Sequence, residues 1–306
     1  GVTTLLQGLV QGNAMFPTGA IVDQPDWATR GIMLDCGRQW HPANYPKEMC
    51  AYLSHFKASE FHSHLSDKLP GRVVGPPNLM YARFRLRSDE LGFAGLFPHV
   101  DEIYSRKEFD DLQRSCASRG VTITNLLRFT ILPEIEAPGH ALFISRWKPQ
   151  LALSTDPTLL DMKPSCVPII SYHIVWEGFL PWIHFKQVSI SADEYSSALD
   201  DDYPSFVGNM SQFIRQVSGK TIRSWGTNEP SHNLVLTKNT TVQHWCSKCP
   251  PYNTFQLLQQ GYQVINSVDF FLYIVLKESC SFPQKLNQTR LWRRMPLGGL
   301  GIQPSV

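Results

Sequence analysis

Apolar and polar positions follow two periods along this chain. Short runs rich in β-branched or large apolar residues, bounded by turn formers, predict strands at 30–35, 60–65, 121–123, 130–132, 188–191, 220–225, 240–245 and 262–267. Helical periodicity fills most of the intervals. Residues 46–57 place Met49, Tyr52, Leu53 and Phe56 on one face, and 206–217 and 254–260 read the same way. A further helix opens at Ser105 with Glu108 three residues on, the spacing of a capping box. It carries the stripe Phe109, Leu112 and Cys116 and stops at Gly120. Strand–helix alternation over the whole length predicts an α/β fold, a (β/α)8 TIM barrel. One domain is expected over 1–306, with a lead-in at 1–29, barrel units at 30–290 and an irregular tail at 291–306. About seven units are visible, so the barrel's last strand is expected to be missing or irregular.

Composition narrows the function classes. A chain of 306 residues with 42% hydrophobic content can bury a large core. A net charge of +2 without a lysine/arginine block argues against nucleic acid or a membrane surface as partner. No apolar run reaches the roughly 18 residues of a membrane span, and residues 1–7 carry no signal-peptide pattern. Eight Trp and ten Tyr suit the stacking of sugar rings, although cores use the same residues. Cys246 and Cys249 have the spacing of half a zinc site, but no second pair follows, so neither metal nor other cofactor is implied. The pairing of the seven cysteines is left open. Asn209, Asn239 and Asn287 each open a glycosylation sequon, which is compatible with a secreted glycoprotein.

The candidate chemistry centres on 188–195, where a β-type run ends in the adjacent acids Asp193 and Glu194. Barrels keep their chemistry at such strand tips. Two neighbouring acids in a half-buried site do not both ionise cheaply, and one acid with one carboxylate is the equipment for cleaving glycosidic bonds. The plainer alternative is a solvated loop. Asp67 and His140 each stand just past a strand, where they could tune the acid. His62 and His64 face the same side of their strand, as a metal pair or, more simply, as hydrogen-bonded core histidines. Trp225 and Trp245 close strands, and the aromatic run 270–273 does likewise, which could wall a pocket or merely pack.

Five motifs carry a resemblance: residues 30–35 (RGIMLD), 61–67 (FHSHLSD), 132–140 (LPEIEAPGH), 191–195 (SADEY) and the closing tryptophans Trp225 and Trp245. In this order they resemble the catalytic barrel of the family-twenty glycoside hydrolases, the β-N-acetylhexosaminidases, most of all the fungal members. The resemblance implies retaining, substrate-assisted removal of terminal N-acetylglucosamine or N-acetylgalactosamine from chitin oligomers or glycans, outside the cell and without a cofactor. It implies Glu194 as general acid/base and Asp193 as the acceptor of the acetamido N–H. Asp67 and His140 would support the acid. Arg30 would hold sugar hydroxyls, and His64, Trp225, Trp245 and Tyr273 would complete the sugar site. Homodimers are also common in the family.

The chain departs from that pattern at several places. It stops without the family's last strand, residues 124–131 look inserted, and Ser191 stands where relatives carry Gly. Ser63 replaces an aromatic, and Val275 stands where Asp or Asn is usual. Three readings follow: an active hexosaminidase, a family relative that binds sugar without turnover, and, least favoured, a metalloenzyme built on His62 and His64.

Overall fold

The structure is a computed structural model that describes residues 2–15, 18–20, 22–23, 25, 27–68, 80–89, 91–93, 95–97, 100–119, 129–162, 167–195, 202–226, 236–245, 254–275 and 284–289. Seven parallel strands recur among them: β1 Gly31–Asp35, β2 Glu60–His64, β3 Thr130–Ala137, β4 Gln187–Ser191, β5 Thr221–Gly226, β6 Thr240–His244 and β7 Gln263–Asn266. Helices fill the intervals: α1 Val2–Gln11, α2 Asn44–His55, α3 Arg106–Ala117, α4 Leu142–Trp147, α5 Val167–Phe179, α6 Asp202–Ser218 and α7 Thr254–Gln259. The fold is α/β. The expected tail at 291–306 and the expected strand at 121–123 lie outside the described residues. No helix is long and apolar enough to cross a membrane.

The chain forms two compact units, residues 1–135 with 178–185, and residues 136–177 with 186–306. In the first, β1, β2 and β3 pair in register, so that Ile32 lies beside Phe61 and Phe61 beside Ile131. Thr130 and Ile131, the end of the stretch that looks inserted, are therefore ordinary strand residues. Residues 124–128 lie outside the described residues. Helix α3 forms as its capping box and apolar stripe predict: the Ser105 side chain accepts from the Glu108 N–H, and Phe109, Leu112 and Cys116 are buried. Cys116 is joined to Cys50 of α2 by a disulfide, a pairing the sequence left open. Phe84, Phe93 and Phe179 pack ring on ring, with centroids 5.1 and 5.3 Å from Phe179.

The second unit holds β4, β5, β6 and β7, paired in that order and parallel. Alternation sorts their side chains. Val242 of β6 packs with Leu257 of α7 and with Tyr262, while Gln243, one residue on, faces the other way. Trp225 pairs with Gln243 across the ladder and so shares that second face. Lower on these strands Arg223 donates to Gln187 Oε1 (3.0 Å) and Gln187 to Thr241 (3.0 Å), giving a buried polar layer. Two expectations change. The lead-in contains the helix α1, whose apolar positions are not buried, and the aromatic run expected to close the last strand forms a helical turn, Asp269–Leu272, separated from it by two residues.

Candidate active site

Strand tips of the first unit carry a chain of charges. His64 ends β2, and its two ring nitrogens meet two carboxylates: Nδ1 lies 2.5 Å from Glu134 Oε1 and Nε2 lies 2.8 Å from Asp67 Oδ2. Register explains the first contact, because His64 and Glu134 are partners in the β2–β3 ladder. His62, on the same face of β2, reaches the other Glu134 oxygen at 3.1 Å. Both histidines thus meet Glu134, His64 through a hydrogen bond and His62 through an ion-pair contact. Asp67 is fully buried and also pairs with Arg38 Nη2 at 2.7 Å, while Arg38 Nη1 meets Asp35 at 2.9 Å.

Burial works against charge on His64, yet the Asp35 charge and the bonds to Asp67 and Glu134 outweigh it and hold the imidazolium pKa well above its usual range. Burial likewise opposes the Glu134 charge, and His62 and His64 together still pull that carboxyl well below its usual range.

The second unit carries the acid pair. Glu194 Oε2 lies 3.0 Å from His140 Nε2, and one ligand atom each of His140, Asp193 and Glu194 falls within 4.8 Å of the others. The His140 side chain is 12% exposed and that of Glu194 55%, so the acid's outer face is open to solvent or substrate. Backbone geometry brings this about. Ser191, Ala192 and Glu194 have φ of 59°, 57° and 47°, and His140 has 51°, all in the left-handed region that non-glycine residues rarely enter. A tight approach holds the two segments together: a Cβ on Gly139 would lie 2.1 Å from the Asp193 carbonyl oxygen, and the Ala192 N–H donates to the Ala137 carbonyl at 3.1 Å. Ser191 and Gly139 thus explain each other in opposite ways. One is a side chain where glycine would sit more easily, the other a glycine where no side chain fits.

The remaining expected residues divide. Trp225 is buried near the end of β5, and Trp245 directly follows β6. Among the described residues the buried Gln243 Oε1 and Trp245 Nε1 have no hydrogen-bond partner. Tyr273 caps the helical turn Asp269–Leu272 and is partly buried. Arg30 stands at the N-terminal end of β1, away from the strand tips. Its guanidinium donates to the carbonyls of Lys57 (3.1 and 2.5 Å), Ala28 (3.3 Å) and Trp27. The arginine at the C-terminal end of β1 is Arg38, 31% exposed and joined to Asp35 and Asp67. Sequence reasoning passed over it, although a cation placed three residues after the last strand residue, Asp35, was there to be read.

Parallel α/β strands with an imidazole past the end of β3 beside two carboxylates past the end of β4 define a class of fold and site, and comparison with known proteins narrows it. Residues 27–171 match the glycosyl hydrolase family 20 catalytic domain. A β-N-acetylhexosaminidase of Cellulomonas fimi is 25% identical over 291 residues, covering 90% of this chain and 55% of that protein. A β-hexosaminidase of Vibrio furnissii is 23% identical, covering 86% and 46%. The chain therefore spans about half the length of the curated relatives it matches. Solved β-N-acetylhexosaminidases of Bacteroides fragilis NCTC 9343 and Streptomyces coelicolor A3(2) superpose with TM-scores of 0.64 and 0.65 at 18% and 17% identity. They cover 86% and 88% of this chain and 55% of each of those chains. The fold is theirs.

Two outcomes follow from this geometry. Ser191→Gly relieves a left-handed Cβ and removes a buried hydroxyl that has no partner among the described residues. It is expected to raise unfolding stability by about 1 kcal/mol in urea titration, and an unchanged or lower midpoint would contradict the strain. The second outcome concerns pH. Glu134 contributes stability that is present above its ordinary pKa of 4.5 and is lost as pH falls through the lowered one. His64 contributes stability that is present below 6.5 and is lost as pH rises through the raised one. Thermal melting across the pH range is expected to peak between those two values, with the alkaline limb shallower in His64→Gln.

Proposed function

We propose that this chain is the catalytic part of a retaining β-N-acetylhexosaminidase that removes terminal N-acetylhexosamine from oligosaccharides by substrate-assisted hydrolysis. The observation that carries the reading is the Glu194–His140 pair at 3.0 Å with Asp193 beside it. Kinship with family 20 and with proteins named as hexosaminidases supports it. In the first step the substrate's 2-acetamido oxygen attacks the anomeric carbon. The bond to the leaving oxygen breaks, and Glu194 gives that oxygen its proton. In the second step the Glu194 carboxylate takes a proton from water, whose oxygen attacks the same carbon and reopens the oxazolinium ring, so configuration is retained. Asp193 accepts the acetamido N–H, which aims the attacking oxygen and offsets its developing charge. His140 holds the Glu194 carboxylate in place through its Nε2 contact.

Trp225, Trp245 and Tyr273 wall the acetamide side in this reading, and the partnerless atoms of Gln243 and Trp245 suit a ligand that both donates and accepts hydrogen bonds. Arg38 takes the role expected of Arg30, holding sugar hydroxyls, with Asp67 and His64 supporting it. Chitin oligomers and N-acetylglucosamine-terminated glycans are the substrates this chemistry serves, at an extracellular location. The Cys50–Cys116 disulfide and the exposed sequon turn at Asn239 support the location, since such bridges persist in oxidising compartments.

Purified protein is expected to hydrolyse p-nitrophenyl N-acetyl-β-glucosaminide, with Glu194→Gln lowering kcat by roughly 10² to 10⁴ and leaving KM within a few-fold. Wild-type protein that binds N-acetylglucosamine without turning over the glycoside would overturn the reading. For the location, fractionation of the natural source is expected to recover the protein extracellularly with Cys50 and Cys116 linked. A reduced, intracellular pool would contradict it.

A further inference from the structure

Arg85 is fully buried in the segment between β2 and α3, and its side chain uses all five N–H donors. Nε donates to the Cys36 carbonyl (2.6 Å). Nη1 donates to the Glu102 carbonyl (3.1 Å) and carboxylate (2.9 Å). Nη2 donates to the Gly37 carbonyl (3.1 Å) and to the Tyr81 hydroxyl (2.6 Å). Two of these five acceptors are the consecutive carbonyls that lead into Arg38. The turn is held from its other side as well: a Cβ on Gly37 would lie 2.8 Å from the Ser66 carbonyl carbon and 3.0 Å from the Asp67 nitrogen. The Arg38 N–H donates to Asp35 Oδ1 at 2.9 Å. Glu102 is itself fixed, by Arg83 Nε and the Tyr81 hydroxyl at 3.0 Å each, and the Arg85 guanidinium carbon lies 5.5 Å from the centre of the Trp40 ring.

A buried planar fork with all five donors used has one arrangement that satisfies it, so the carbonyls it grips have one position. We propose that Arg85 is a positioning residue for substrate binding: it does not touch the sugar, but its fork sets the Cys36–Gly37 carbonyls and thereby aims the Arg38 guanidinium. This rests on the reading of Arg38 as the arginine that holds sugar hydroxyls. None of the five acceptors of Arg85 is Asp193 or Glu194, so the consequence falls on binding and not on proton transfer. Lysine would keep the charge but cannot reproduce two parallel bonds to adjacent carbonyls.

The test compares Arg85→Lys with wild type on p-nitrophenyl N-acetyl-β-glucosaminide, with N-acetylglucosamine binding read by calorimetry. Loss of aim predicts KM raised about tenfold, kcat within about twofold, and N-acetylglucosamine weakened by the same factor as KM. Unchanged KM, or a fall in kcat at constant KM, overturns the proposal. Should Arg85→Lys fail to fold, Glu102→Gln loosens the same fork from its partly exposed side. It is expected to raise KM in the same direction by a smaller factor, and an unchanged KM there overturns the proposal equally. Wild-type protein without turnover would sink the enzymatic reading while leaving the fork testable. The Arg38 amide is then expected to exchange hydrogen faster in the variant, and equal protection would overturn the clamp.

Discussion

Everything at the tips of β1, β2 and β3 depends on one buried imidazole being shared by two carboxylates. His64 is buried, so its charge persists because Asp35 stands near and Asp67 and Glu134 each take one ring nitrogen. Each carboxylate is then committed to a second partner, Arg38 for Asp67 and His62 for Glu134. Taking two charges out of water costs much of what their attraction returns, so such a chain contributes less to net stability than its number of contacts suggests. Its effect is on arrangement: removing one member strands another charge in the core, at a general cost of about 3 to 5 kcal/mol. That makes this arrangement of Arg38, Asp67 and His64 hard to leave.

The acid pair is organised by a different means. Ser191, Ala192, Glu194 and His140 all sit at positive φ, and each such residue costs on the order of 1 kcal/mol or more relative to an ordinary conformation. A chain selected for stability alone would use glycine at these positions. Clustering of strained non-glycine residues around two carboxylates and an imidazole is what a site that holds reacting groups in one geometry looks like. Gly139 is the complement, a position where the backbone of the Asp193 segment comes so near that no side chain fits.

Three arginines show how little residue type says about role. Arg30 ties the lead-in to the start of β1 through backbone carbonyls, Arg38 spans two carboxylates at the end of the same strand, and Arg85 grips the turn between strand and Arg38. All three are bonded through planar forks. Only their acceptors and their place in the chain tell them apart.

Seven strands, the helices α2, α3, α6 and α7, the capped start of α3 and the acid pair after β4 were legible in the amino-acid sequence, because each is encoded within a few residues: alternation, a Ser105–Glu108 spacing, an apolar run stopping at Asp193. What remained hidden depends on partners far apart in the chain. That His62 and His64 share Glu134, some seventy residues away, follows from the register of β2 against β3. That Cys50 meets Cys116 follows from how α2 lies against α3. Helix α1 was not expected, and its apolar positions are not buried among the described residues. Local pattern therefore determined which elements form and which chemistry they carry. Tertiary structure alone decided which side chains meet, because contact is set by strand register and backbone approach, and neither quantity is written in any short window of residues.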